Sequence, residues 1–236
     1  MSRLASCGGS FGHLALGILR IARVSCCGLI LGSPTLAVAW DQAEIAGNAE
    51  ALYGPHKEGR QRLVAWWRLL AEMGDRDIDT QLRSVNEFFN ATLRFDDDSR
   101  IWQQIDYWAT PVESLYQGAA DCEDYALAKY VSLRRLGVPM ERLRLTYTMA
   151  SGQAHMVLAY YAEAHADPWV LDNRINAVLP ASQRGDLQPV YAFNGEGLWY
   201  GGPTGARSAG DSRGLSRWQD MLHRMRREGF PSVALR

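Results

Sequence analysis

Apolar residues recur at helical spacing through three segments of the chain. The first segment ends at Gly74, and the second follows Asp79, which is suited to cap a helix N-terminus. The third follows Asp121, another residue typical of an N-cap, and stops at Gly137 before Pro139. The pattern therefore predicts three helices with broad apolar faces. Those faces consist of Leu63, Trp66, Trp67, Leu70 and Met73, then Leu82, Val85, Phe88, Phe89 and Leu93, then Ala126, Leu127, Tyr130, Val131, Leu133 and Leu136.

The apolar period changes from helical to two after the third helix. Leu143, Leu145, Tyr147 and Met149 alternate with polar residues, which predicts a half-buried strand. Helices first and an antiparallel sheet second predict an α+β domain over residues 40–200. The further predicted strands span residues 154–161, 168–172, 188–193 and 197–200.

Residues 201–236 are predicted to extend this domain at its C-terminal side. Residues 201–214 are rich in Gly and Ser, a composition typical of a flexible linker. The segment Leu215–Glu228 can form a short amphipathic helix, with Trp218 and Met225 on its apolar side.

The first 39 residues differ from the rest because they contain no Asp, Glu or Lys. Arg3, Arg20 and Arg23 precede a short apolar run, and small residues follow it. This order is typical of a secretory signal peptide, here cleaved after Ala39. The apolar run is shorter than the about 20 residues needed to span a bilayer. The alternative is a buried N-terminal helix, whereas a lipid anchor at Cys26 is disfavoured because the apolar run lies after that cysteine.

Charge and composition narrow the possible partners of the mature chain. Cleavage after Ala39 leaves 197 residues with 22 Lys and Arg against 26 Asp and Glu, a net charge near −4. That length is enough for one domain with a proper core. No basic patch is present, which argues against nucleic acid as a partner, and no second apolar stretch predicts membrane insertion after signal cleavage. We therefore expect a secreted protein of an oxidising compartment.

Cys122 is the one cysteine outside the predicted signal peptide. A lone cysteine cannot form an internal disulfide, so it is a small buried side chain, a metal ligand or a catalytic nucleophile. If Asp121 caps the third helix, Cys122 lies in its first turn, where free amides and the helix dipole stabilise a thiolate. The position therefore favours an activated thiol.

Three acids surround this thiol, and their negative charge opposes its ionisation. They are Asp121, Glu123 and Asp124. A cation would neutralise them, and Ca²⁺ suits hard carboxylate oxygens. Alternatively, the acids only complement the helix N-terminus, where Asp124 can complete a reciprocal cap, and the residues alone favour neither interpretation. A second acidic run at residues 96–98 could also bind calcium, but we interpret it as a solvated loop.

A thiolate nucleophile needs a base, and the base needs an orienting group. His155 begins an otherwise apolar strand and Asp172 ends the next one. Taken singly, His155 is better explained as a core histidine and Asp172 as a turn residue. Taken together with Cys122, their order matches a Cys–His–Asp triad built where a helix packs against a sheet.

Several segments of the mature chain resemble a known family in the same order along the sequence. They are Val85–Asn90, Asp106–Pro111, Asp121–Ala126, Leu143–Tyr147, Gln153–Leu158 and Val170–Asn173. Such a series is more specific than any single motif. The family is that of the periplasmic bacterial transglutaminase-like cysteine proteinases of the LapG type, and the similarity covers nearly the whole mature chain.

The resemblance implies a papain-like or transglutaminase-like fold, with N-terminal helices packed on an antiparallel sheet. It implies a cysteine endopeptidase in which Cys122 is the nucleophile, His155 the base and acid, and Asp172 the orienting group. Asn173 matches the family's Asp-Asn pair. The start of the third helix would stabilise the oxyanion, and Trp108 is a candidate for a further donor.

The resemblance also implies calcium dependence, with Asp121 and Glu123 as calcium-site residues and Asp124 as a further candidate. Known members of the family cut a giant surface adhesin near its N-terminus, within a di-alanine motif, and so release cells from a biofilm. An inner-membrane receptor for cyclic di-GMP sequesters them when that messenger is abundant. The same adhesin substrate and the same inhibitory receptor are therefore expected as partners here.

Two other classes of protein fit the same residues. A transglutaminase would pass the acyl group to an amine instead of water and would use the same helix, strands and triad. A non-catalytic calcium-binding module could keep the fold and leave Cys122 unreactive, although an intact Cys–His–Asp set argues against it.

Overall fold

The computed structural model describes residues 40–200, 207–210 and 212–231. The predicted signal peptide, residues 1–39, lies outside the described residues. The described residues belong to one compact unit, Ala37–Arg236. Within them, no helix combines the length and apolar character needed to cross a membrane. The α-helices are Gln42–Tyr53 (α1), Lys57–Met73 (α2), Ile78–Thr92 (α3), Asp98–Ile101 (α4), Pro111–Gln117 (α5), Cys122–Arg135 (α6) and Ser216–Arg227 (α7).

The predicted α+β class is confirmed, since a mixed set of helices accompanies an antiparallel sheet. The strand order is β6-β5-β4-β3-β7-β8-β9, and every neighbouring pair in it is antiparallel. A separate parallel pair, β1 with β2, leads into α6. The strands are Arg94–Phe95 (β1), Ala119–Ala120 (β2), Leu143–Ala150 (β3), Gln153–Tyr160 (β4), Trp169–Leu171 (β5), Leu179–Pro180 (β6), Leu187–Phe193 (β7), Leu198–Tyr200 (β8) and Arg207–Gly210 (β9).

The cap of α3 differs from the sequence prediction. Asp77, and not Asp79, precedes the helix and accepts a hydrogen bond from the backbone N–H of Thr80 at 2.9 Å. Asp79 lies instead in the first turn, where its charge favours the positive end of the helix dipole. Asp77 and Asp79 are only two residues apart, so the apolar pattern alone does not decide which of them caps the helix.

Helix α6 forms the centre of the core. It packs against α3 and α5 on one side and against β3 and β4 on the other. Tyr130, Val131 and Leu133 are therefore fully buried. A hydrogen bond of 2.8 Å from the indole of Trp66 to Ser132 ties α2 to this helix. The site residues at the start of α6 thus rest on a helix that packs against both the helices and the sheet.

The C-terminal helix belongs to the same core. The predicted helix Leu215–Glu228 is observed as α7, and its Trp218, Met221 and Met225 are buried. Within the segment predicted to be a flexible linker, residues 207–210 form β9 on the edge of the sheet, and residues 201–206 and 211 lie outside the described ones. Beyond α7, Phe230 packs edge-on against Trp40 with ring centroids 4.7 Å apart.

A buried polar group joins α7 to the start of α5. Glu228 accepts hydrogen bonds from Thr110 at 2.5 Å and from Tyr53 at 2.6 Å. Glu113 completes a capping box with Thr110 and pairs with Arg224 at 3.3 Å. Burial, followed by the charge of Glu113, raises the pKa of Glu228 from 4.5 to about 8.

This shift predicts a pH-dependent stability that Glu228→Gln removes. Between pH 4.5 and about 8 the folded state retains a proton that the unfolded state releases, so the stability of the wild type should fall as pH rises through this range. The variant, which cannot ionise, should lack this slope. Thermal unfolding between these pH values measures it, with the exposed Glu141→Gln as control. Parallel curves for the wild type and Glu228→Gln would contradict the assignment.

Candidate active site

The start of α6 positions Cys122 and its neighbouring acids. The parallel pair of β1 and β2 delivers the chain to Asp121, which adopts an extended conformation and caps the helix. Its carboxylate accepts hydrogen bonds from the N–H groups of Glu123 at 3.1 Å and Asp124 at 3.2 Å. The predicted N-cap is therefore observed, and Cys122 is the first helical residue.

The charge around the thiol opposes its ionisation. Burial raises the pKa of Cys122, and the charge of Glu123 raises it further. The Cys122 thiol donates a hydrogen bond of 2.8 Å to the Glu123 carboxylate. The backbone N–H of Met156 lowers the pKa of the thiol, as expected for a donor that faces the sulfur. A reactive thiolate at this position requires compensation of the negative charge.

His155 and Asp172 are brought together across adjacent strands. The register of β4 and β5 places Leu158 opposite Leu171, so that Asp172, just past β5, reaches the early part of β4. His155 Nε2 and Asp172 Oδ1 are 2.9 Å apart, and both side chains are almost completely buried. This contact occupies Nε2 and leaves Nδ1 as the imidazole nitrogen available to another partner.

Several donors hold Asp172 in its ionised form. Burial alone would raise its pKa, but hydrogen bonds from His155, the Arg174 N–H and Arg184 outweigh burial and lower the pKa below its usual value. Arg184 Nη2 donates to Asp172 Oδ2 at 2.7 Å, and Arg184 also pairs with Asp186 at the same distance. An ionised Asp172 favours an imidazolium on His155, as a triad requires.

Asn90 on α3 anchors the loop that follows Asp172. Its amide Nδ2 lies within hydrogen-bonding distance of the carbonyl oxygens of Asp172 at 2.9 Å and Ile175 at 3.1 Å, and of Asn176 Oδ1 at 3.0 Å. Its Oδ1 accepts from the buried Lys129 ammonium at 2.8 Å. Burial lowers the pKa of Lys129 to about 7, so this amine is readily neutralised. The helical half of the domain thereby holds the loop of the sheet that carries Asp172.

One cleft of about 520 Å³ contains most of the predicted site residues. Cys122 and His155 both line it, together with Asp121, Glu123 and Asn173. Asp172 lies directly behind His155. Trp108 lies in an adjoining pocket that it shares with Glu123 and Met156. The structure thus brings the three residues of the predicted triad to one place.

Three carboxylates gather beside this cleft, and their membership differs from the predicted calcium set. Oxygens of Asp98, Asp121 and Asp124 lie within 4.8 Å of one another. Glu123 is not among these three, and one of its carboxylate oxygens accepts a hydrogen bond from the Cys122 thiol. Asp124 does not bond back to the Asp121 N–H as a reciprocal cap would require, but accepts from the Ala109 N–H at 2.6 Å.

Asp98 corrects the interpretation of residues 96–98 as a solvated loop. Its side chain is buried and accepts a hydrogen bond of 2.5 Å from the Tyr107 N–H. Only Asp96 and Asp97 of the run point outward, where they pair with arginines. The run of three acids in the sequence does not indicate that the side chain of Asp98 is buried.

The donor set of this carboxylate cluster suits a hard cation. Asp98 Oδ1 and Asp124 Oδ2 are buried and lack a hydrogen-bond partner. Burial, followed by the charges of the neighbouring carboxylates, raises the pKa of Asp121. Burial likewise raises the pKa of Asp98 and Asp124, against the hydrogen bonds that each accepts. Unpaired buried carboxylate oxygens are costly unless a cation or protons neutralise them.

Comparison with known proteins assigns the family. A family described as bacterial transglutaminase-like cysteine proteinase matches residues 71–186. LapG of Legionella pneumophila is 37% identical over 77% of this chain and 97% of its own, with a TM-score of 0.66. The chain belongs to the bacterial transglutaminase-like cysteine proteinases. Curated proteins compared in the same way gave no match.

Two further solved forms of LapG resemble this proteinase. The EGTA-treated form is 36% identical over 77% of this chain and 97% of its own, with a TM-score of 0.67. The calcium-bound form is 36% identical over 78% of this chain and 99% of its own, with a TM-score of 0.68. The predicted family and fold are confirmed, and the protein is a cysteine endopeptidase with a transglutaminase-like fold.

Sequence reasoning did not single out Asp98, Asn90, Lys129 or Arg184. Asn90 lay in a segment that carried the family resemblance, and this was the one available signal for it. Asp98 and Lys129 make their contacts with residues that are distant in the chain. Arg184 lies in a loop that carries no recognisable motif.

We expect Asn90→Ala to destabilise the proteinase by ~2–4 kcal/mol, because it removes the hydrogen bonds of Asn90, among them those to the Asp172 carbonyl and to the buried Lys129 ammonium. Urea unfolding measures the loss. Asn176→Ala is the matched control, since it removes only one of these hydrogen bonds and should cost under about 1 kcal/mol. An equal loss in both variants would show that Asn90 does not anchor the loop.

Proposed function

We propose that this proteinase is a calcium-dependent periplasmic endopeptidase that uses Cys122, His155 and Asp172 as its catalytic triad. The observation that carries the proposal is the shared cleft of Cys122 and His155, with His155 held at 2.9 Å by an ionised Asp172 behind it. Membership in a family of cysteine proteinases supports the same reading.

The reaction follows from the roles that these groups can take. His155 accepts the proton of the Cys122 thiol, and the sulfur attacks the scissile carbonyl carbon. The tetrahedral intermediate collapses as His155 returns the proton to the leaving amine, which yields a thioester. Water, deprotonated by His155, then hydrolyses the thioester and regenerates the thiol. Asp172 fixes the tautomer of the ring and stabilises the imidazolium in both halves.

The start of α6 supplies the oxyanion site in this proposal. Cys122 is the first residue of the helix, so its N–H has no partner in the preceding turn. This N–H and the helix dipole would stabilise the negative oxygen of the intermediate. Trp108, in the adjoining pocket, is the proposed second donor.

Calcium would be held by Asp98, Asp121 and Asp124. Two of these carboxylates have a buried oxygen without a partner, and all three gather beside the thiol. The bound cation would supply positive charge that offsets the acids around Cys122. Glu123, also predicted from the resemblance as a calcium-site residue, lies beside this set with one carboxylate oxygen bonded to the thiol. The calcium-bound and EGTA-treated forms of LapG support the choice of metal.

We expect Asp98→Asn to weaken calcium binding at least about tenfold, because it keeps the side-chain shape and removes one ligand charge. Isothermal titration calorimetry of the purified protein with CaCl₂ measures the dissociation constant. Asp97→Asn is the matched control: it removes the adjacent charge, which is more than half exposed and outside the cluster. Equal affinities of the two variants would remove Asp98 from the site.

The proposed substrate is the N-terminal region of a large surface adhesin, cut at a di-alanine site so that cells leave a biofilm. The resemblance of the chain to LapG-type proteinases supports this proposal. An inner-membrane cyclic di-GMP receptor is proposed as the sequestering inhibitor on the same resemblance. The periplasmic location rests on the basic and apolar pattern of residues 1–39.

Incubation with an adhesin N-terminal fragment tests this function. We expect the wild type to cut the fragment in CaCl₂ and to stop in excess EGTA. Cys122→Ala should leave the fragment intact while its circular dichroism spectrum matches the wild type. A fragment with both alanines changed to leucine is the specificity control. Cleavage by Cys122→Ala would exclude the thiol as nucleophile, and full activity in EGTA would exclude the calcium dependence.

A further inference from the structure

A second cavity, of about 190 Å³, lies on the face of the sheet that points away from α6. Its floor includes Thr146 and Thr148 of β3 and Val157 and Ala159 of β4. Side chains alternate along a strand, so these residues face opposite to Leu145 and Leu158, which pack in the main core. This cavity, the outer-face cavity, is therefore separate from the cleft that contains Cys122.

The wall of the outer-face cavity carries a cation without an anionic partner. The Arg144 guanidinium lies between the rings of Tyr161 and Trp199, at 4.3 and 4.5 Å from their centroids. No carboxylate among the described residues forms an ion pair with Arg144, and its Nε is buried without a hydrogen-bond partner. Stacking fixes the position of the charge but does not neutralise it.

A second guanidinium presents a free donor to the same cavity. Arg184 lines it, and its side chain is only 6% exposed. Asp172 and Asp186 already balance its charge, yet its Nη1 is buried and has no partner. A buried guanidinium N–H left unpaired is costly, and an acceptor in the cavity would satisfy it.

The rest of the lining is apolar and aromatic. Val170, Leu187, Pro189 and Tyr191 complete it beside the residues of the floor. A few polar groups in a mainly apolar wall are typical of sites for small organic ligands. The volume lies below the roughly 300–1,000 Å³ of sites for drug-sized molecules, which indicates a smaller ligand.

We propose that the outer-face cavity binds a small organic carboxylate with an aromatic or aliphatic body. The carboxylate pairs with Arg144, and the body packs on Val157 and the neighbouring apolar residues, with Arg184 Nη1 as a further donor in the cavity wall. The proposal does not rest on the calcium site or on the substrate, and it can be tested without a proteolysis assay.

Calorimetric titration of the full chain with 3-phenylpropionate tests the site, and 3-phenylpropionamide is the neutral probe of the same shape. We expect saturable binding of the carboxylate and at least tenfold weaker binding of the amide. No saturation at concentrations on the order of 10 mM, or equal affinity for the two probes, would overturn the proposal. This comparison uses the wild type and so does not depend on the folding of any variant.

A pair of substitutions then locates the binding. Arg144→Gln should weaken 3-phenylpropionate binding at least tenfold. Arg142→Gln, an exposed arginine two residues away that does not line the cavity, should keep the wild-type affinity. Thermal unfolding of both variants checks that the fold is intact. Equal affinities of Arg144→Gln and the wild type would place the ligand elsewhere and end the assignment.

Discussion

The domain depends on an electrostatic constraint: three carboxylates, two of them buried, have oxygens within 4.8 Å of one another at the start of its central helix. Asp98 and Asp124 bond to the backbone of the segment before α5, and Asp121 caps α6. These contacts make the position of Cys122 dependent on the acids. Like charges at this distance cannot all remain ionised in a protein interior without a counter-charge. A cation would therefore stabilise the geometry and the thiolate together.

The sheet supplies His155 and Asp172, whose electrostatic surroundings differ from those of the acids beside Cys122. Asp172 is buried but surrounded by hydrogen-bond donors, so its carboxylate stays ionised. Burial instead favours the protonated form of the carboxylates beside Cys122. Asn90 joins the two halves, because a helical side chain holds the carbonyl of Asp172 itself. Cys122 and His155 thus lie on two elements, α6 and the sheet, that α3 joins through Asn90.

Local patterns predicted the features that depend on neighbours in the chain. The apolar periods of α6 and β3, the N-cap at Asp121 and the order of cysteine, histidine and aspartate are all of this kind. Asp98 was misjudged because an acidic run is usually solvated, and only the packing of α4 against β2 turns its third member inward. Arg184 carries no local signal, since its role comes from a loop that returns to the strand of Asp172. A residue whose partners lie far along the chain is accessible only from the fold.

The packing of Phe230 against Trp40 joins the first described helix region to the last. Trp40 also contacts Trp66, so both ends contribute to one aromatic cluster in the core. That cluster cannot close until residue 230 has left the ribosome, which means that a nascent chain displaying Cys122 still lacks part of its core. Completion of this part of the core therefore requires residues near the end of the described chain.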